Sequence, residues 1–117
     1  MEKEKEKSVN ITLYGKTYNI YKILNFGVKA LEGEISIPLS MLMHQVSRKY
    51  GYKNSDLWAI VWACVYTQDQ TITYNDFLKG TDTSGIDMAE LQKIAMQVFK
   101  NSFAEEKRKK GDSDSKN

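Results

Sequence analysis

Among side chains able to move a proton or hold a metal, the chain offers one histidine (His44), one cysteine (Cys64) and 15 carboxylates. A single histidine leaves a Ser-His-Asp arrangement formally open but excludes a two-histidine metal site. A single cysteine excludes an intramolecular disulfide and a cysteine-based zinc cluster, and suggests a reducing compartment. His44 stands between Met43 and Gln45 in a stretch with helical spacing. That favours a helix-surface or partly buried histidine over a general base. Cys64 lies in an apolar run with no adjacent charge to stabilise a thiolate, so it reads as a small buried hydrophobe. Glu32 with Glu34, and Glu105 with Glu106, fall in charged stretches and read as solvated. Neither GxxxxGK[ST] nor GxGxxG occurs, so no phosphate cradle is written in the chain. Asp82-Thr83-Ser84-Gly85-Ile86-Asp87 has the oxygen-rich look of a calcium loop. An EF-hand, however, needs an oxygen ligand where Ile86 stands and its glycine two places later than Gly85. The expectation is a non-catalytic protein with no metal site and no cofactor.

Charge and length narrow the class further. Lys and Arg number 17 against 15 Asp and Glu, a net charge of +2, which gives no field for nucleic acid or a membrane surface. Lys107-Arg108-Lys109-Lys110 is basic but lacks interleaved aromatics and is followed by Asp112 and Asp114, so it reads as a solubilising tail. The start, Met1 to Lys7, alternates Glu and Lys, unlike a signal peptide. The longest apolar run, Leu57 to Tyr66, is well short of the ~20 residues needed to span a bilayer. A chain of 117 residues makes one domain that buries about two-thirds of its unfolded surface. The division expected is a charged start over 1–8, one globular domain over 9–104, and a charged, flexible tail over 105–117.

The elements that would position anything in this domain follow from periodicity. Val9, Ile11 and Leu13 alternate with Asn10 and Thr12, and Tyr18 and Ile20 resume the alternation after Tyr14-Gly15-Lys16. This is a hairpin pattern, with Gly15 free to take positive φ. From Asn25 the period changes to three and four. Phe26, Ala30 and Leu31 mark a short helix stopping near Gly33, and Ser36 reads as the N-cap of a second, with Pro38 in its first turn. Leu39, Leu42, Met43 and Val46 give that helix its stripe, and Gly51 ends it. Asn54 or Ser55 would cap the helix that contains Leu57–Tyr66. Thr73 and Asp76 suggest a capping box before a helix ending at Gly80, and Thr81–Gly85 reads as a loop. Asp87 caps a last helix striped by Leu91, Ile94, Ala95, Val98, Phe99 and Phe103. The fold class expected is mainly α (α+β), an N-terminal β-hairpin followed by about five helices.

The unusual feature is apolar and aromatic surplus: seven Tyr, four Phe and two Trp. Trp58, Trp62 and Tyr66 recur every four residues on a helix that is apolar all round. Such a helix is either the centre of the core or has a second face against a partner. On the second reading Trp58, Trp62 and Tyr66, with Phe99 and Phe103 from the last helix, line a groove for a partner helix or for another copy of the chain.

The order VNITLYGKTYNIYK, KALEGEISIPLSML, LWAIVWACVY, ITYNDFLKG and IDMAELQKIAMQVFKNSF resembles the tail assembly chaperones of long-tailed bacteriophages. The likeness is to those of lactococcal type, from siphophages of low-GC Gram-positive hosts, and spans residues 9–103. It implies a late, non-catalytic protein that binds the helical tape measure protein and keeps it soluble until the tail tube forms. It also implies action in the host cytoplasm, absence from the finished virion, self-association into rings or spirals, and contact with tail tube protein through a longer frameshifted form. The competing reading is a head–tail or neck structural protein retained in the particle.

Overall fold

A computed structural model describes residues 8–48 and 51–116, with side chains as far as Ser102. The charged start before Ser8, and the side chain of Phe103, lie outside the described residues. Two strands, β1 (Val9–Leu13) and β2 (Lys16–Ile20), precede five helices: α1 (Asn25–Ile35), α2 (Leu39–Arg48), α3 (Asn54–Gln68), α4 (Tyr74–Ser84) and α5 (Met88–Lys116). The mainly helical fold with an N-terminal hairpin is the one the periodicity predicts. The backbone of α5 runs on through the stretch expected as a tail from residue 105.

The strands pair antiparallel, with Val9 opposite Ile20 and Leu13 opposite Lys16, so Tyr14 and Gly15 alone make the turn. Both take positive φ, 54° and 81°, as a hairpin turn of this length demands. That conformation disfavours a bulky residue such as Tyr14. Its hydroxyl donates to the Asp76 carbonyl at 2.8 Å, and its ring lies over Gly80, holding the turn down on α4. Ile11, Leu13, Tyr18 and Ile20 point into the core, while Thr12–Thr17 and Asn10–Asn19 side-chain hydrogen bonds cover the outer face. β1 lies on α4 and β2 on α3.

α3 is the centre of the molecule. Leu57 and every residue from Ala59 to Val65 are buried, and the helix meets α1, α4, α5 and β2. An all-round apolar sequence on this helix is therefore satisfied within one chain. The segment joining β2 to α1 is tied to α5. The buried Asn101 donates to the Tyr21 carbonyl at 2.7 Å, and the Ile23 N–H donates to Ser102 Oγ at 3.0 Å. Among the described residues no buried side-chain nitrogen or oxygen lacks a hydrogen-bond partner, and no helix is long and apolar enough to cross a membrane.

Several boundaries differ from the sequence expectation. α1 passes through Gly33 and ends at Ser36, which takes the left-handed conformation (φ 64°) and donates its N–H to Glu32 O. Ser36 is thus the end of one helix and not the N-cap of the next. The first turn of α2 is served instead by Glu32, whose carboxylate accepts the Leu39 N–H at 2.7 Å, so Glu32 is a structural cap and not merely solvated. α3 starts at Asn54 from an extended Lys53 with no side-chain cap, and Asp56 supplies the favourable negative charge in its first turn. The capping box of Thr73 with Asp76 is present in both directions. α4, however, runs through Gly80 and Thr81 and stops at Gly85 (φ 79°). Gly80 is small because Leu13 and Tyr14 press on it, and the expected loop is helix. Asp87 accepts the Glu90 N–H at 2.9 Å, the cap expected for α5.

Candidate partner-binding site

A row of rings crosses three helices. Phe26 of α1 stacks on Tyr66 of α3 with centroids 5.7 Å apart and planes 10° from parallel. Tyr66 meets Trp62 at 5.0 Å, Trp62 meets Tyr74 of α4 at 5.6 Å, and Tyr74 stacks on Phe77 at 6.2 Å. These separations lie in the range where offset and tilted aromatic pairs attract. The row runs from the open surface to the deep core: Phe26 is 49% exposed, Tyr66 half-buried, Trp62 5% exposed and Phe77 fully buried. Leu24, next to Phe26, is 51% exposed.

Each ring is placed by a specific device. Gly27, the residue after Phe26 in α1, matters most: a Cβ there would sit 3.0 Å from Thr67 Oγ1 and 3.2 Å from the Ala63 carbonyl. Glycine therefore lets α1 approach α3 closely enough for Phe26 to reach Tyr66. Trp62 donates its indole N–H to the Ile72 carbonyl at 2.9 Å, and Tyr74 donates its hydroxyl to the Ser55 carbonyl. The turn between α3 and α4, which carries Ile72, is organised by Asp69. One carboxylate oxygen accepts from Thr71 N–H and Oγ1 at 3.1 and 2.6 Å, the other from Tyr18 Oη at 2.9 Å and Lys16 Nζ at 3.4 Å.

The electrostatics match these partners. Thr71, through its hydroxyl and then its amide, and after it Tyr18, hold the Asp69 carboxyl far below the usual carboxylate range. Burial, with the Asp69 hydrogen bond and charge, raises the Tyr18 phenol. Burial first, then the charges of Asp56 and Glu34, raises that of Tyr74. Burial alone pushes the Cys64 thiol up to about 12, so it has no thiolate character at neutral pH. His44 is exposed on α2. No group of three or more His, Cys, Asp or Glu side chains is placed to hold a metal among the described residues.

The structure divides the expected groove residues. Trp58 and Tyr66 are half-buried at the two ends of their stripe, and Phe99 is half-buried against the core on α5. Trp62 belongs to the core: its ring is covered by Tyr66 and Tyr74 and its N–H is spent on Ile72, which corrects its assignment as a partner-facing residue. Phe103 lies outside the described side chains. From the sequence Phe26 reads only as part of a short helix's apolar side, and Gly27 and Asp69 carry no expectation. A glycine inside an otherwise helical stretch, costing about 1 kcal/mol against alanine, was the available signal for close packing at Gly27. Asp69 followed by Thr71 was the signal for an Asx turn.

Compared with known proteins, the chain matches no family model, no curated protein and no solved structure.

Proposed function

We propose that the protein is a non-catalytic assembly chaperone that covers apolar stretches of a helical partner, the tape measure protein of a long-tailed phage. The observation that carries the reading is the open end of the aromatic row. Phe26 and Leu24 are half exposed, and Phe26 stacks on Tyr66 of the central helix. Exposed apolar rings that are pre-positioned bind at low entropic cost, because little side-chain freedom is lost on docking. An amphipathic helix laid along this surface would set its apolar stripe against Phe26, Tyr66 and Leu24. A helix-covering chaperone needs no nucleotide, metal or redox chemistry. Several weakly bound copies along one long partner would gain affinity by effective concentration. The protein would act in the host cytoplasm, assemble with further copies of itself, and leave before the virion is complete.

The test is co-expression with the tape measure protein. The reading expects the partner to move from the insoluble to the soluble fraction in complex with this chain, and the chain to be missing from purified particles by mass spectrometry. A stoichiometric amount in particles would favour a neck or head–tail component instead.

A further inference from the structure

Asp69 joins the hairpin to the α3–α4 turn, next to the bond that the Gln68 side chain donates to the Asn19 carbonyl at 2.7 Å. Its side chain is 14% exposed and takes two donors from the hairpin, Tyr18 Oη and Lys16 Nζ, and two from its own turn, the Thr71 amide and hydroxyl. Its backbone closes α3 through its N–H to the Val65 carbonyl (2.9 Å) and accepts the Ile72 N–H (3.3 Å). The Ile72 carbonyl then faces α3 and takes the Trp62 indole N–H at 2.9 Å. Trp62 contacts Tyr66, and Tyr66 stacks on Phe26. An unbroken series of contacts therefore runs from the exposed edge of the hairpin to the open end of the aromatic row.

We infer that Asp69 is a positioning residue for the partner surface: by fastening β2 to the α3–α4 turn it aims the Ile72 carbonyl and so sets the Trp62 and Tyr66 rings that back Phe26. This rests on the reading of the row as the partner surface. The chemistry requires a carboxylate at this position. Four donors converge on its two oxygens, and asparagine would turn an amide N–H toward either the Thr71 pair or the hairpin pair. A merely stabilising role would lower the melting temperature but leave the rings unchanged in molecules that stay folded.

The Trp58→Phe variant leaves Trp62 as the sole indole and allows the position to be read directly. In samples with unchanged far-ultraviolet circular dichroism, Asp69→Asn is expected to red-shift Trp62 emission, raise its quenching by acrylamide and weaken the near-ultraviolet aromatic band. Tyr18→Phe and Thr71→Val, each removing one donor, should shift the same signals in the same direction by less. These two variants decide the matter if Asp69→Asn does not fold, and difference spectra with Trp58 present decide it if Trp58→Phe does not. Folded variants with unchanged Trp62 signals, whatever their melting temperatures, overturn the inference. The partner arm is separate: capture of the tape measure protein should weaken in Asp69→Asn. Altered Trp62 signals with undiminished capture would uphold Asp69 as the residue that sets the rings and overturn the row as its partner surface.

Discussion

Trp62 and Tyr66 lie one turn apart on the same stripe, yet alanine at each is expected to do different things. Trp62→Ala opens a hole in the core and orphans the Ile72 carbonyl, so it should cost about 3–5 kcal/mol in denaturant unfolding. Tyr66→Ala, at a half-buried position, should cost about 1 kcal/mol and leave a folded protein. Equal losses would mean that the row has no open end. Ionisable residues give a second expectation. The Asp69 carboxyl is depressed by its donors, so its contribution to stability is present above pH ~4 and is lost as pH falls below that value. Asp69→Asn should flatten the acid limb of the stability curve. Cys64 is raised from its ordinary value near 9 to about 12, and Tyr18 and Tyr74 are raised from near 10, so stability is full below pH ~9 and falls above it. Cys64→Ala should move that onset to about pH 10, the unfolded-state value for tyrosine. An unmoved onset would contradict the buried thiol. At this scale the four-residue spacing of Trp58, Trp62 and Tyr66 was legible. Which of them was covered was not, because coverage comes from Ile72 and Tyr74, more than two turns away in sequence, and from Phe26, which precedes them by some forty residues.

Glycines test the elements by contrast. Gly27 and Gly33 both lie inside α1, but a Cβ at Gly27 would crowd Thr67 Oγ1 and the Ala63 carbonyl of α3 at 3.0 and 3.2 Å, and one at Gly33 meets nothing within 4 Å. Gly33→Ala should stabilise by about 0.5–1 kcal/mol through helix propensity. Gly27→Ala gains the same propensity but incurs an overpacking cost of about 1–3 kcal/mol, so it should be net destabilising and should weaken the Phe26–Tyr66 stacking band. Thermal melts of the two variants check both signs. Hairpin and helices were legible because alternation of period two gives way cleanly to three- and four-residue spacing at Asn25. Two of the misplaced ends have a visible physical cause: Ser36 and Gly80 carry local signals for a start and a stop, and each was overridden by a contact beyond its own turn, Glu32 reaching Leu39 and Leu13 with Tyr14 settling on Gly80. Gly33 lies in open space and is simply tolerated within α1. The two helix-cap signals that held, Thr73 with Asp76 and Asp87 with Glu90, are caps in which both partners sit within one turn.

At the scale of the whole molecule, α3 consumes most of the apolar surplus, which is why a helix apolar on every side is compatible with a single domain. What is left over is spread out: Tyr14, Met41, Met88 and Met96 are exposed elsewhere, while Leu24 and Phe26 stay half exposed two residues apart at the start of α1, with Phe26 stacked on a half-buried Tyr66. On the proposed reading the surface offered to a partner is small, and the stacked backing of its ring rather than its area supplies its effect. Co-expression of the tape measure protein with the wild-type chain, with Phe26→Ala/Tyr66→Ala, and with Met88→Ala as an exposed apolar control on α5 tests this most directly. The account predicts that the wild type and Met88→Ala keep the partner soluble. The folded double variant, verified by its circular dichroism, should leave the partner in the pellet. A folded double variant that solubilises the partner as well as the wild type would contradict it.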